Sequence, residues 1–418
     1  MKNTTILGAA IAALMLPVGA SATNGYFSHG FGVRALAVAG VGAALPQDGL
    51  AAALNPAGIA FLDSRLDLGV SWFRPERGAQ IVGNFAGANG SYDGNDTEDF
   101  LIPEFGYVRK ISDQLSAGLA VYGNGGMNTD YGVNPLAAFG STGSAGVNLE
   151  QLFITPSVAY KPHPDHAFGV GVTYAYQRFE MKGVSAFDNP FFSAAPGYVS
   201  NNGTDSANGW GLKLGWTGQV TPTLKLGASW SSELDMSEFS DYRGLFAEQG
   251  DFDIPATLLL GAAWQASPVL TLAADWQRID YSGVNSVGNP LQNLLVGNAL
   301  GSDNGGGFGW KDIDVIKLGA VYQWSDSLTL RAGLSRSDQP IPRSETFLNI
   351  LAPGTVRDHL TLGASWKTSE RGEWSISYAH AFKETVKGQG SIPMPFGGGE
   401  ANIYLQEDLL SIGYSFSL

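Results

Sequence analysis

A short phrase with a period of two recurs along this chain and restricts the folds that it can adopt. Clear copies are LKLGASW at residues 224–230, LLLGAAW at 258–264, LTLAADW at 270–276 and LTLGASW at 360–366. Alternate side chains of a β-strand point to opposite faces. In the first copy, Trp230 therefore shares a face with the leucines, while Lys225 and Gly227 lie on the other. Each strand has one apolar face ending in an aromatic residue and one small or polar face.

This alternation fits two architectures, and composition separates them. A soluble β-sandwich turns its apolar faces toward a second sheet and carries many charges outside. Only 15% of the residues are charged, against ~25% in soluble domains. Apolar bands with aromatic ends and a small, polar reverse face are typical of transmembrane barrels, which close because lipid cannot satisfy an open sheet edge. We predict an all-β, antiparallel outer-membrane β-barrel.

Turn signals divide the chain independently of the strand pattern. Short connectors lie near residues 111–114, 161–165, 221–222, 266–268, 325–327 and 368–373. Long polar stretches alternate with them, near residues 76–98, 124–148, 182–206, 236–254, 283–310, 339–356 and 387–401. The alternation predicts about 14 strands over residues 65–418, with short periplasmic turns and long external loops.

Residues 1–22 have the features of a secretory signal peptide. Lys2 precedes an apolar run at residues 6–18, and small residues follow at positions 20–22. The run is shorter than the ~20 residues of a spanning helix, which disfavours a membrane anchor. We predict export and a mature chain that begins near Thr23.

Charge and composition exclude several function classes. The net charge is −14, or −15 once Lys2 leaves with the signal peptide, which disfavours a nucleic-acid partner. Without cysteine, disulfides and thiolate metal sites are excluded. His163 and His166 in HPDH have a spacing that suggests a metal, but the flanking prolines favour a turn and no third ligand is evident. We predict no enzyme activity, catalytic residue, metal or cofactor.

Residues 23–64 do not follow the strand pattern. Their helical apolar runs are broken by glycine and proline, and only Arg34 and Asp48 are charged before Phe61. A segment with so little charge is expected to be buried in protein, and the barrel lumen is nearby. We predict an N-terminal plug over residues 23–64 and a barrel over residues 65–418.

The stretch AALNPAGIAF, residues 52–61, predicts a change of direction in this plug. Pro56 disfavours a helical conformation at Asn55 and offers no backbone donor. With Gly58, it lets the apolar run turn before the first strand at about Arg65. We interpret it as the hinge region of the plug.

Several motifs match a known family. They are GFGVRA (residues 30–35), AGVGAA (39–44), NPA (55–57) and the paired-strand regions 258–282, 310–342 and 357–366. On these residues, which extend over nearly the whole mature chain, the protein resembles the FadL/TodX outer-membrane transporters. The resemblance implies a barrel of about 14 strands, closed by an N-terminal α-helical hatch, that carries long-chain fatty acids or aromatic hydrocarbons. Our predicted hatch and gate residues are Arg34, Gly40, Gly42, Asn55, Pro56, Ala57 and Gly58.

Strand parity places an unusual set of charges on the lumen face. The bases are Lys213, Lys225, Lys317 and Arg331, and the acids are Asp67 and Asp275. Two explanations remain open for the bases: they bind an anionic headgroup, or they pair with the plug and neighbouring strands or line water. Arg34 is likewise a headgroup ligand or an anchor of the plug. Tyr26 and Phe27, near the mature N-terminus, are predicted to line the same ligand pocket.

Apolar residues are concentrated in the third and fourth long loops, in FDNPFF (187–192) and FSDYRGLF (239–246). Contiguous exposed apolar surface indicates a landing site, whereas buried aromatics would indicate packing within the loops. The family resemblance implies a hydrophobic capture groove here. The candidates are Phe187, Phe191, Phe192, Phe239, Leu245 and Phe246.

These features favour passive uptake of hydrophobic molecules across the outer membrane of a Gram-negative bacterium. The ligand would be captured by loops, bound in the lumen and released past the hatch, and the resemblance implies release sideways through the wall. The lumen bases favour long-chain fatty acids, with aromatic or aliphatic hydrocarbons as the alternative. A general porin, an exporter and an adhesin-like surface protein are the other classes.

The expected partners follow from this location. They are the fatty acid or hydrocarbon ligand, outer-membrane lipid and lipopolysaccharide, and the barrel assembly machinery during biogenesis. The chain ends in Leu418 where many such barrels end in Phe, which affects the expected efficiency of insertion more than the fold. We expect a monomer.

Overall fold

The computed structural model describes residues 23–418, and the predicted signal peptide at residues 1–22 lies outside the described residues. The strands are β1 (Thr23–Asn24), β2 (Phe27–Ser28), β3 (Arg65–Val82), β4 (Gly90–Asp93), β5 (Phe100–Lys110), β6 (Leu115–Tyr131), β7 (Ala145–His163), β8 (His166–Lys182), β9 (Asp205–Thr221), β10 (Leu224–Ser231), β11 (Asp235–Met236), β12 (Thr257–Ser267), β13 (Leu270–Ile279), β14 (Ile313–Gln323), β15 (Leu328–Ser337), β16 (Asp358–Lys367), β17 (Gly372–Val386) and β18 (Glu400–Ser417).

The helices of the described residues are all short. The α-helices are Val33–Leu36, Ala51–Leu54, Ala247–Gly250, Asn285–Gly288 and Gln292–Leu295, and the 3-10 helices are Pro56–Phe61, Ala137–Phe139, Ser185–Phe187, Ser240–Tyr242, Tyr281–Gly283, Leu348–Ile350 and Met394–Phe396. Within residues 23–418, no helix has both the length and the apolar character needed to cross a membrane.

Fourteen long strands form a closed antiparallel β-barrel, as predicted. Each pairs with the next long strand along the chain, and β18 closes the ring by pairing with β3 over its whole length, from Glu400 opposite Val82 to Ser417 opposite Arg65. Closure therefore gives each long strand a paired neighbour on both sides for at least part of its length. The backbone N–H of Leu418 donates to the Ser64 carbonyl at 2.9 Å, so both ends of the barrel sequence meet at one rim.

The burial of side chains confirms the predicted alternation. On the outward face, Trp230 is 42% exposed and Ile412 is 43% exposed, while Ser229 and Ser411 on the inward face are buried. The outward face is apolar because it meets lipid, and the inward face is small and polar because it meets the protein segment inside.

The connections also follow the prediction, with different boundaries for two loops. Short turns and long loops alternate around the barrel. The predicted loops at 76–98 and 124–148 were too wide, because β3 continues to Val82 and β6 to Tyr131. Glycine and asparagine near the ends of these strands favour a loop prediction, but cross-strand pairing keeps these residues extended.

Residues 23–64, here called the N-terminal segment, are almost entirely buried. The segment runs through the two short helices Val33–Leu36 and Ala51–Leu54 and then the 3-10 helix Pro56–Phe61. The first of these helices packs against β16, β17 and β18, and the 3-10 helix packs against β6, β7, β8 and β9. These contacts place the N-terminal segment inside the ring of strands.

The wall is interrupted between β5 and β6. Their pairing runs from Lys110 opposite Ser116 to Phe105 opposite Val121, and the rest of β5 pairs only with β3. Farther along β6, the register with β7 shifts between Gly123 and Gly125. At this bulge the hairpin β1–β2 of the N-terminal segment pairs with β6 through Phe27 and Gly125.

Candidate ligand site in the barrel lumen

Wall carboxylates bind backbone amides of the N-terminal segment. Glu104 of β5 accepts from the N–H groups of Gly32 and Val33 at 3.0 and 2.9 Å. Asp275 of β13 accepts from Gly42 and Ala43 at 2.8 and 3.0 Å. These paired N–H donors supply the hydrogen bonds that a buried carboxylate needs.

Wall bases bind oxygen atoms of the same segment. The ammonium of Lys317 donates to the His29 carbonyl at 2.8 Å, and that of Lys213 donates to the Ala53 carbonyl. Arg331 donates through Nε to the side-chain oxygen of Gln47 at 2.7 Å and through a second nitrogen to Ser365 at 2.7 Å. Three of the four predicted lumen bases therefore donate hydrogen bonds to the N-terminal segment.

Arg34 anchors the first helix of the segment to the opposite side of the wall. Its guanidinium lies 3.1 Å from the Glu373 carboxylate and donates to the hydroxyls of Ser375 and Ser415 at 3.3 and 2.9 Å. It also donates to the Gln47 carbonyl at 2.9 Å. Of the two roles left open for Arg34, this geometry is that of an anchor.

Asn55 joins the turn at Pro56 to the wall. Its side-chain amide donates to the Ala43 carbonyl at 2.7 Å and to the carbonyl of Trp216 at 3.0 Å, and its side-chain oxygen accepts from the Ala57 N–H at 3.0 Å. Wall glycines permit the close approach: a Cβ on Gly215 would lie 2.0 Å from the Asn55 side-chain oxygen. The small residues of the strand phrase thus create the space in which the segment docks.

The other predicted hatch residues are buried within the same segment. Gly40 has a φ of 76°, and a Cβ there would lie 1.7 Å from the His29 carbonyl oxygen. Gly42 supplies one of the amides on Asp275. Pro56, Ala57 and Gly58 form the first turn of the 3-10 helix and are all buried.

A narrow cavity of about 50 Å³ lies between the N-terminal segment and the wall. Its lining includes the rings of Phe27, Phe31, Tyr122 and Phe153 and the ammonium-bearing side chains of Lys213 and Lys317. Phe31 and Tyr122 have ring centroids 4.4 Å apart. Both lysines are buried, and each donates a hydrogen bond to a neutral main-chain carbonyl of the segment. The cavity therefore combines aromatic surface with two buried cationic groups.

The remaining predicted lumen residues lie elsewhere. Arg331 is held at Gln47, and Lys225 lies with its ammonium 5.1 Å from the ring centroid of Phe61, near the short-turn rim. Tyr26 packs in an aromatic cluster with Tyr281 and Trp310, at centroid distances of 5.2 and 5.8 Å. Of the predicted lumen set, the structure brings Phe27, Lys213 and Lys317 together at this cavity.

A second cavity of about 50 Å³ lies among the long loops, and its lining is almost wholly apolar. Phe187, Leu245 and Phe246 of the predicted capture groove line it. Phe192 packs against Phe187 with centroids 5.5 Å apart, and Phe191 is 81% exposed. Phe239 is fully buried, and its ring centroid lies 5.5 Å from that of Phe179. Of the predicted capture-groove residues, Phe191 is therefore exposed, Phe187, Leu245 and Phe246 line the cavity, and Phe239 is packed in the core.

Several residues of both cavities were missed by sequence reasoning. Tyr122, Phe153 and Phe31 line the lumen cavity, and Leu300, Phe308 and Leu351 line the loop cavity. The aromatic residues of β6 and β7 lie on the inward parity, which was an available signal. The three missed residues of the loop cavity lie in the long loops at 280–312 and 338–357. An apolar residue in a long polar loop is the same signal that identified the capture-groove phenylalanines, so it was available for these residues too.

The closed barrel, its apolar outer face and the protein segment in its lumen define the class as an outer-membrane channel. The chain belongs to the family of outer membrane protein transport proteins (OMPP1/FadL/TodX), whose characteristic sequence matches residues 19–392. This confirms the predicted family, the outer-membrane location and the assignment to transport channels rather than enzymes.

Individual relatives are distant but extend over most of the chain. The long-chain fatty acid transport protein of Salmonella typhi is 23% identical over 403 residues, covering 86% of this chain and 89% of the relative. That of Escherichia coli K12 is 22% identical over 410 residues, with the same two coverages. The crystal structure of the Pseudomonas putida toluene transporter TodX has a TM-score of 0.69 at 18% identity, covering 93% of this chain and 99% of TodX. A Pseudomonas aeruginosa FadL homologue has a TM-score of 0.70 at 17% identity, covering 94% of this chain and 99% of that one.

Proposed function

We propose that this protein takes up long-chain fatty acids through the outer membrane by ligand-gated diffusion. The observation that carries the proposal is the pair of buried ammonium groups, Lys213 and Lys317, at one cavity that is also lined by aromatic rings. The names of the Salmonella and Escherichia relatives support the same substrate class.

The lysine contacts leave capacity for an anion. Each ammonium has three donors, and one donor of each is used by a main-chain carbonyl of the segment. Asp275 lies directly opposite Lys317 on the neighbouring strand and compensates part of its charge, while one Asp275 oxygen accepts from two segment amides. A buried charge is costly without a compensating charge. A carboxylate headgroup would compensate the lysines, and Phe31, Tyr122 and Phe153 would contact the acyl chain.

Binding at this site would require the N-terminal segment to move. A cavity of about 50 Å³ holds only a few water molecules, since each needs ~10–15 Å³ by this measure. A ligand that binds better to a displaced segment shifts the equilibrium toward that arrangement. The predicted hatch role of Arg34, Gly40, Gly42, Asn55, Pro56, Ala57 and Gly58 is to hold the resting arrangement.

The proposed route joins three features of the structure. The loop cavity near Phe187 and Phe246 captures the ligand, the lysine cavity holds its headgroup, and the interruption between β5 and β6 lets it leave toward the membrane. The hairpin β1–β2 sits at this interruption through Phe27. Release into lipid would avoid the transfer of an acyl chain into water.

Hydrocarbons are the second candidate substrate. The loop cavity is lined almost wholly by apolar groups, which would accept a molecule without a headgroup. A hydrocarbon would derive no benefit from the two ammonium groups, so the lysines distinguish the two substrates.

The decisive experiment compares both ligand classes on one purified variant. In Lys213→Met/Lys317→Met, we expect oleate affinity to fall about tenfold or more, because each lysine contributes a charge-assisted hydrogen bond. The affinity for a neutral alkane should be unchanged. Lys225→Met is the control, since this base lies outside the cavity. Unchanged oleate affinity in the double variant would overturn the fatty-acid proposal and favour hydrocarbons.

A further inference from the structure

The side chain of Glu407 points into the barrel at the predicted start of the mature chain. The backbone nitrogen of Thr23 lies 2.8 Å from one oxygen of the Glu407 carboxylate, and the Thr23 hydroxyl donates to the other at 2.9 Å. Both residues are 2% exposed. A single residue therefore occupies both oxygens of this carboxylate.

No side-chain cation forms an ion pair with Glu407 among residues 23–418. Arg77 lines the same small cavity, but its donors point elsewhere. They bind the carbonyls of Pro75, Thr97 and Asn128 and the side-chain oxygens of Asn95 and Asn128. A buried carboxylate without a charged partner is costly. The nearest group that processing could make cationic is the nitrogen of Thr23.

We propose that Glu407 is a binding site for the α-ammonium group that signal-peptide cleavage creates at Thr23. Hydrolysis of the Ala22–Thr23 peptide bond leaves a carboxylate on Ala22 and an ammonium on Thr23. The ammonium carries a positive charge and additional donors, where the peptide N–H of the precursor is neutral and has a single donor. Cleavage therefore converts a neutral contact with Glu407 into a buried ion pair.

This ion pair would hold the hairpin at the interruption of the wall. Thr23 pairs with Ser28, and Asn24 pairs with Phe27, within the hairpin. On its far side, Phe27 pairs with Gly125 of β6, and the Gly126 N–H donates to the Tyr26 carbonyl at 3.0 Å. The hairpin thus spans from Glu407 on β18 to the bulge of β6. Any effect of the ion pair on ligand release rests on the proposed function, but the ammonium site itself does not.

The test measures hydrogen exchange of the amides of residues 24–28 in the purified, processed protein. Three changes are compared with the wild type: Glu407→Gln, a single glycine inserted before Thr23, and both together. Intact-mass measurement first establishes the N-terminal residue of each protein. The glycine insertion leaves the wall untouched, so it remains informative even if Glu407→Gln impairs folding.

Each single change should accelerate exchange in residues 24–28 by about tenfold or more, through loss of a charge-assisted hydrogen bond. The double variant should exchange no faster than either single one, because both changes remove the same interaction. Asp408→Asn is the matched control on the adjacent residue, whose side chain accepts from Tyr378 and faces outward. It should leave residues 24–28 unchanged.

Three results would overturn the proposal: a wild-type chain that does not begin at Thr23, unchanged exchange in both single variants, or additive effects in the double variant. Oleate binding measured on the same samples tests the proposed function separately. Intact oleate binding with unchanged exchange would refute only the ammonium site. Absent oleate binding with the expected exchange pattern would refute only the substrate.

Discussion

The backbone of Phe27 pairs with Gly125 at the bulge of β6, where the barrel wall lacks a β5 partner. The contact is close because Gly125 has no side chain: a Cβ there would lie 1.8 Å from the Tyr26 carbonyl oxygen, at a φ of 150°. The N-terminal segment therefore supplies part of the backbone pairing that β6 does not receive from β5. Such a position is suited to a gate between lumen and membrane.

Gly125→Ala should displace the hairpin without unfolding the barrel. The clash and the backbone strain together should destabilise the docked hairpin by about 1–3 kcal/mol. We expect a higher rate of fatty-acid passage through the protein in liposomes and faster proteolysis near residues 23–28. Gly90→Ala is the control, because its Cβ would meet only ordinary contacts at 3.6 Å. Equal behaviour of the two variants would contradict a gate at this bulge.

Pro56→Ala/Gly58→Ala should change permeability while the barrel stays folded. Pro56 fixes the start of the 3-10 helix, and a Cβ on Gly58 would lie 3.0 Å from Pro46. The turn should become less rigid and dock less closely. Permeability to small solutes is measured in liposomes, and folding by the heat-dependent gel mobility of the barrel. Pro164→Ala, in a short turn, is the control. Loss of the folded barrel would mean that the turn is structural only.

Phe191→Ser tests capture separately from packing. Phe191 is 81% exposed, so its removal should change stability by less than about 0.5 kcal/mol. If the ring contacts incoming ligand, the association rate of oleate should fall about fivefold, from the loss of buried apolar area. Phe85→Ser in the first long loop is a matched control, since Phe85 is 89% exposed. The capture role fails if both variants associate equally with oleate.

The loop that contains Asp251 should loosen as the pH rises. Burial and repulsion from Asp253 raise the pKa of Asp251 to about 8. The folded loop then binds a proton more tightly than the unfolded loop, whose aspartate has a pKa of about 4. Its stability should fall between about pH 4 and pH 8 and change little above that range.

Amide exchange of residues 247–254, corrected for its intrinsic pH dependence, measures this effect. Protection should be higher at pH 6 than at pH 9, and Asp251→Asn should remove most of the difference. Asp326→Asn, in a short turn, should preserve it. An unchanged pH dependence in Asp251→Asn would assign the effect to another group.

The strand pattern predicted the barrel well because its signal is local. Whether Trp230 faces lipid and Ser229 faces the lumen follows from neighbouring positions in one strand, and the structure agrees. The low charge of residues 23–64 likewise predicted burial. The loop boundaries at Val82 and Tyr131 were less accurate, because cross-strand hydrogen bonds override the turn preference of glycine and asparagine.

The position of each inward-facing base along the barrel axis could not be predicted from the sequence. Lys213, Lys225, Lys317 and Arg331 share the inward parity, yet only Lys213 and Lys317 line the cavity. Parity repeats every two residues, whereas height depends on the stagger of all strands around the ring. Lys213 and Lys317 bind main-chain carbonyls of the N-terminal segment, and a carbonyl is present at every residue, so the sequence does not reveal these partners.

By itself, the sequence determined a closed barrel with an apolar exterior, a small and polar interior, and a buried segment before the first strand. Periodicity, turn residues and low charge each act over a few neighbouring positions, so one sequence suffices to recognise them. Only the tertiary structure decided that Glu407 meets Thr23, that Phe27 fills the bulge at Gly125, and that two of four lumen bases share a cavity. These contacts join residues far apart in the chain, so their distances depend on barrel closure and on how the N-terminal segment docks inside the barrel.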